Sequence, residues 1–214
     1  MPLRGKIEEK QLSTQAWSAI YSFWFGEPGT VNHGNVQEIW FGGGRGLDDL
    51  IRTRFLAAYK KAASGDHDGW MLDPQGWVSL IVTLDQFPRN MFRGDPRSFA
   101  TDVKALEIAK KLIDSDCHDR LITVEKMFAY LPLEHSENKS DQARCVDLFR
   151  NIDDHGNKSE WIDYAFEHKV IIDQFGRFPH RNEILGRNST KVESDWLKSS
   201  DQRFGTTAED ESSK

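Results

Sequence analysis

Apolar residues recur at three- and four-residue spacing along most of the chain, and strict alternation over strand lengths is missing, so the pattern predicts helix nearly throughout. Trp17, Ile20 and Trp24 form one stripe after Ser13 as N-cap. Leu47, Ile51, Phe55 and Tyr59 form a second, in a helix stopped near Gly65. Asp73-Pro74 gives an N-cap acid followed by proline at the first helical position, and Trp77, Leu80, Ile81 and Leu84 continue from it. Later stripes are Val103, Leu106, Leu112 and Ile113 after Thr101, and Val146, Phe149 and Ile152 after Ser140. Trp161, Tyr164, Ala165, His168, Ile171 and Ile172 follow, and Thr190 with Glu193 makes a capping box for a last helix carrying Val192 and Trp196. Short helices joined by short polar turns pack as antiparallel neighbours, so the expected architecture is all-α, an array of stacked helical hairpins.

Two polar segments interrupt this pattern and resemble each other. Leu84 to Gly94 reads LDQFPRNMFRG, and Ile172 to Gly186 reads IDQFGRFPHRNEILG. Pro88 disfavours helical geometry at Phe87, which places Asp85 and Gln86 in the last turn of their helix. Gly176 is expected as a left-handed C-terminal cap, which places Asp173 and Gln174 in the last turn of theirs. A carboxylate at the negative end of a helix costs about 0.3–1 kcal/mol unless a cation compensates, and each segment supplies arginines. Arg89, Arg93, Arg97, Arg177, Arg181 and Arg187 make six of the chain's fourteen arginines. On one reading, Asp85 with Arg89 and Asp173 with Arg181 are bidentate pairs that lock two equivalent corners, with Gln86, Asn90, Gln174 and Asn182 serving turn backbone groups. On the other, the surplus Arg93, Arg97, Arg177 and His180 face a cleft and hold an anionic group.

A third polar cluster, YLPLEHSE, spans Tyr130 to Glu137. Pro132 is expected to end the preceding helix, with Ser136 as the N-cap of the next. Glu134 and His135 suit proton transfer, since a carboxylate neighbour fixes a histidine tautomer. His168, on an apolar stripe, reads as a hydrogen-bonded core residue or as a metal ligand, but no HExxH-like spacing supplies it with partners. There is no Walker loop, dinucleotide fingerprint or CxxC pair, and no cofactor or metal is expected. Gly42-Gly43-Gly44 reads as a loop, and FWFG at Phe23 to Gly26 and WFG at Trp40 to Gly42 as aromatic anchors ending helices at glycine.

Composition narrows the function classes. No Pro/Gly/Ser-rich linker divides the 214 residues, so one domain is expected over 13–204, between a polar tail at 1–12 and a disordered polar tail at 205–214. A net charge of -6 argues against nucleic-acid or anionic-membrane partners. MPLRGKIEEKQ has no apolar h-region, no run approaches a membrane span, and two cysteines do not make a disulfide scaffold, so a cytoplasmic protein is expected.

FWFG, LDQFPRNMFRG, SFATD, YLPLEHSE, Asp141-Gln142, FGRFPHRN and LGRNST, in that order, resemble the uncharacterised bacterial domain of unknown function family 924 from about Trp17 to Phe204. The resemblance implies a helical fold similar to the tetratricopeptide-repeat superfamily and no established activity. Its hallmark polar positions fall on Asp85, Gln86, Arg89, Asn90, Arg93, Glu134, His135, Asp141, Gln142, His168, Arg177, His180, Arg181 and Asn182. Two functions are carried forward. In the first, Arg89, Arg93, Arg177, His180, Arg181 and Asn182 line a cleft that captures an anionic small molecule or a peptide carboxylate. In the second, Glu134 and His135, with His168, perform acid/base or metal-assisted chemistry on an anionic substrate.

Overall fold

The computed structural model describes residues 17–42, 44–153 and 155–199. The helices are α1 (17–25), α2 (Ile39–Gly42), α3 (Gly44–Ser64), α4 (Pro74–Met91), α5 (Asp102–Ile113), α6 (Thr123–Glu134), α7 (Lys139–Asn151), α8 (Lys158–Phe175) and α9 (Lys191–Ser199). No strand occurs among the described residues, so the chain is all-α as its periodicity requires. No helix among them is long and apolar enough to cross a membrane. The expected terminal tails and the Ser13 cap lie outside the described residues.

Consecutive helices from α3 to α8 pack on one another, and α4 also meets α6, so α4 is the central element. Its position follows from its sequence: Val78, Leu80, Ile81, Val82, Leu84 and Phe87 are all fully enclosed, which only a helix surrounded by others can achieve. Phe87 stacks on Phe55 of α3 with ring centroids 5.0 Å apart and meets the edge of Trp24 of α1 at 5.6 Å. Trp24 and Phe25 both turn edge-on to Phe128 of α6, so the FWFG aromatics are core as expected. Gly76 lies so close to the Trp70 carbonyl that a Cβ there would stand 2.1 Å from the oxygen. Ile171, Ile172 and Phe178 make a second, smaller apolar cluster under Phe175 and Trp196.

Several helix boundaries follow the expected chemistry. Asp73 precedes Pro74 at the start of α4, Gly176 takes the left-handed C-cap with φ 71°, and Thr190 and Glu193 bond each other's backbone amides at 3.2 and 2.6 Å. Others differ. Gly42 closes α2 and Gly44 opens α3, and Gly43 lies outside the described residues. Asn138, whose side chain accepts from the Ser140 amide, caps α7, while the Ser136 hydroxyl donates to Asp141 at 2.8 Å. Val103 and Tyr164 face outward, and α5 buries Ala105, Ile108, Ala109 and Leu112.

Neither proline breaks its helix where expected. α6 runs through Pro132 to Glu134, and the His135 amide still reaches the Leu131 carbonyl at 2.9 Å. α4 runs through Pro88 to Met91, so Asp85 and Gln86 are not in a last turn. Pro88 has no N–H to offer the Leu84 carbonyl one turn back. The buried Thr101 hydroxyl donates to that oxygen instead, at 2.5 Å, so a tertiary bond from the start of α5 replaces the missing helical one.

Candidate functional site

The Thr101 bond also sets the geometry of the polar cluster. It draws the N-terminus of α5 against the last turns of α4, so that Asp102, in the first turn of α5, meets Arg89. Arg89 donates Nη1–H to Asp102 Oδ1 at 2.9 Å and Nη2–H to Oδ2 at 3.1 Å, and its Nη1 also reaches the Asp85 carbonyl at 2.5 Å. The expected Asp85–Arg89 ion pair is therefore the longer contact, at 3.4 Å, and Asp102 takes the bidentate place.

Asp85 is turned toward His135. The carboxylate is 1% exposed; burial raises its pKa, but the Arg89 charge and the hydrogen bonds of His135 and Gln86 outweigh burial and hold it well below the usual carboxylate range. An ionised carboxylate accepts only. His135 Nδ1–H therefore donates to Asp85 Oδ1 at 2.8 Å, while Gln86 Nε2–H donates to Oδ2 at 2.6 Å. The bond fixes the imidazole tautomer and leaves Nε2 as the basic nitrogen. His135 is 14% exposed in its side chain, and Nε2 has no partner among the described residues. Burial, then the charge of Arg89, lowers the pKa of His135, so the ring is neutral at pH 7.

Glu134 and His135 are adjacent in sequence but do not pair. Successive residues at a helix end point apart, and Glu134 turns inward beside His168, with Oε1 3.4 Å from Nδ1. His168 donates Nδ1–H to the Tyr164 carbonyl at 2.9 Å, and burial pushes its pKa well down. Burial, reinforced by the negative charge of Asp85, raises Glu134 to about 8. The pair is thus a neutral acid beside a neutral imidazole. Gln142 of α7 clamps the turn that carries both residues by donating to the carbonyls of Glu134 at 2.6 Å and Ser136 at 2.8 Å. Asp141 completes the clamp by accepting from Ser136 and from Lys110 at 2.6 Å.

The second polar segment folds back onto the first. Arg181 does not meet Asp173: its guanidinium lies 4.3 Å from the Phe178 ring and 4.9 Å from Phe99, and Nη1–H donates to the His135 carbonyl at 3.1 Å. Its nearest carboxylate is Asp102, at 3.6 Å. Burial, with Arg89 nearby, lowers the Arg181 pKa to about 10. Asp173 and Gln174 are exposed, and Asp173 pairs with Lys169 of its own helix.

The other arginines expected to bind a ligand are each paired with a carboxylate. Arg93 forks onto Asp48 at 2.8 and 3.0 Å, where Asn90 also donates. Arg97 forks onto Asp95, and Arg177 onto Glu193 at 2.6 and 2.8 Å, tying α9 down. His180 is buried against Phe178, and Asn182 donates to Ser189 at 3.0 Å. The cluster assembled by the fold is Asp85, Gln86, Arg89, Asp102, Glu134, His135, His168 and Arg181, with Phe99 and Phe178 as its aromatic walls. Asp102 and Phe99 are absent from the sequence-derived candidates. Their signal was the position of SFATD directly after the first arginine-rich segment, with an acid at a helix start. Among the described residues no group of three or more His, Cys, Asp and Glu is arranged to hold a metal ion.

A search of curated proteins finds no match. A solved structure of a protein of unknown function, ATU0120 from Agrobacterium tumefaciens, is similar over 88% of this chain and 99% of its own, at 31% identity and a TM-score of 0.77. The family model described as bacterial protein of unknown function (DUF924) matches residues 20–201, and the chain belongs to that family.

Proposed function

We propose that this protein is an acid–base enzyme whose general base is His135. The observation that carries this reading is the Asp85–His135 bond of 2.8 Å, which spends Nδ1 on a buried carboxylate and leaves Nε2 of a partly exposed ring unengaged. A buried acid behind a histidine orients the ring and stabilises the imidazolium formed when Nε2 takes a proton. A substrate O–H, N–H or acidic C–H, or a water, would lose its proton to Nε2, the bonding electron pair remaining on the substrate. Arg89, Gln86 and Arg181 keep Asp85 and His135 from relaxing away from this geometry, since each bonds one of the two directly. The neutral Glu134 adds no second negative charge beside Asp85, so the imidazolium is held by one carboxylate.

Capture of an anion by a row of spare arginines has less support. Arg93, Arg97, Arg177 and Arg187 each meet a carboxylate at 2.9 Å or closer.

The reading is tested by profiling the purified full chain against esters, amides, phosphomonoesters and α-protonated carbonyl compounds, with His135→Gln in parallel. The expected result is turnover of one class that falls by about 10²–10⁴-fold in His135→Gln while the melting temperature is kept. Equal rates in the two proteins, or no turnover of any class by the wild type, defeat it.

A further inference from the structure

An arginine presents two forks, one from Nη1 and Nη2 and one from Nε and Nη2, and each matches the two oxygens of a carboxylate or phosphate. In this protein five arginines of the two arginine-rich segments each spend one fork on a carboxylate. Arg93, Arg97 and Arg177 use the Nε/Nη2 edge on Asp48, Asp95 and Glu193. Arg187 uses Nη1 and Nη2 on Glu137, and its Nε is enclosed, as is that of Arg181. Arg89 differs. Its Nη1/Nη2 edge is on Asp102, but Nε–H and the second Nη2 hydrogen have no partner among the described residues. Nε is not among the enclosed atoms, and the side chain is 19% exposed.

The Arg89 guanidinium lies beside the candidate base. Asp85 Oδ1 is 2.8 Å from His135 Nδ1 and 3.4 Å from Arg89 Nη1, so histidine and arginine flank one carboxylate oxygen. Resting on the acid–base reading, we propose that the Nε/Nη2 edge of Arg89 seats the carboxylate or phosphate group of the substrate, which presents its remaining atoms to Nε2 of His135. Local charge agrees with a single anion. Arg89 and Arg181 are balanced by Asp85 and Asp102, and Glu134 and His168 are neutral. A bound anion would add one negative charge, and the imidazolium formed when His135 accepts the proton would offset it. The substrate class is therefore a small carboxylate or phosphate ester with an ionisable hydrogen a few bonds from the anionic group.

The groups facing His135 are Asp85 and Arg89 of α4, Asp102 of α5, His168 of α8 and Arg181 of the second segment, while Glu134 is turned toward His168. Of these, Arg89 is the cation that opposes protonation most strongly after burial. Neutralising it with an anion must raise the midpoint of His135 by thermodynamic linkage. Nitrogen-detected NMR on the full chain tests this, with inorganic phosphate or acetate added at constant ionic strength and chloride as the compensating salt. The expected result is an upward shift of the His135 midpoint by about half a pH unit or more, with the Arg89 Nε–H resonance moving along the same saturation curve. Arg89→Lys should weaken the response about tenfold or more by removing the fork while keeping the charge, and Arg97→Gln should leave it unchanged. A response to phosphate alone or to acetate alone supports the proposal and names the group. If neither probe moves Arg89 Nε–H, or if the His135 shift persists in Arg89→Lys, the proposal is overturned. Should Arg89→Lys not fold, the wild-type Arg89 resonance decides by itself. Loss of the acid–base reading appears separately, as an unchanged rate in His135→Gln, because anion binding at Arg89 does not require turnover.

Discussion

Glu134 keeps its proton in the folded chain over a pH range where the unfolded chain has lost it. Its pKa stands at about 8 in the fold against an ordinary 4.5, so between those values the folded state binds the extra proton and stability falls as pH rises. The loss is of the order of a few kcal/mol and is complete above the folded value. His135 and His168 act in the other sense: both are depressed, so protons bind preferentially to the unfolded chain and stability falls as pH drops below the ordinary histidine value near 6.5. Glu134→Gln should therefore melt higher than the wild type at pH 8.5 and about level with it at pH 5, measured by thermal denaturation. An unchanged difference at the two pH values would show that Glu134 is ionised in the fold. Asp85→Asn should leave His135 without its fixed tautomer; nitrogen shifts should change from an Nδ1–H form to a mixture, and turnover should fall with the rate constant more than with substrate affinity. At this scale the sequence was legible in residue identity and illegible in partnership. Glu134, His135 and Asp85 were all visible, but neighbouring residues on a helix diverge, so the carboxylate that serves His135 comes from fifty positions away.

The elements were legible where the signal is local. Asp73-Pro74, Gly176 and the Thr190–Glu193 box each act within one turn, and each stands as expected. The two prolines misled because their effect on a helix depends on what else satisfies the orphaned carbonyl, and a partner from another helix is invisible in a local reading. For α4 that partner is Thr101. Thr101→Val, which keeps the shape and removes the hydroxyl, should cost about 1–3 kcal/mol in chemical denaturation, while Thr101→Ser should cost less. Equal losses would assign the effect to packing of the methyl group. A second packing constraint acts at Gly76, where any Cβ collides with the Trp70 carbonyl; Gly76→Ala should lower the melting temperature by several degrees, since the backbone on at least one side must move.

Over the whole molecule, the arginines sort by task. Arg177 and Arg187 fasten the C-terminal part of the described chain, the former through Glu193 and the latter through Glu137, so Glu193→Gln should loosen α9 and expose the segment after Gly186 to limited proteolysis ahead of the rest. Protection equal to the wild type would show that Phe175 and Trp196 hold α9 unaided. The all-α architecture was legible because period and length are properties of each segment. Convergence of the two DQF segments on Asp102 was not, because Arg181 and Asp173 look like a pair in sequence and separate only when Phe99 and Phe178 enclose the guanidinium. The gap at Pro88 has a last consequence, for the order in which the molecule opens. An α4 whose Leu84 oxygen is satisfied only by α5 cannot keep its final turns once α5 departs. Amides from Arg89 to Met91 should then exchange with solvent at the same opening free energy as those of Ala105 to Ala109, and any motion that frees α5 should dismantle Arg89 and Asp102 together.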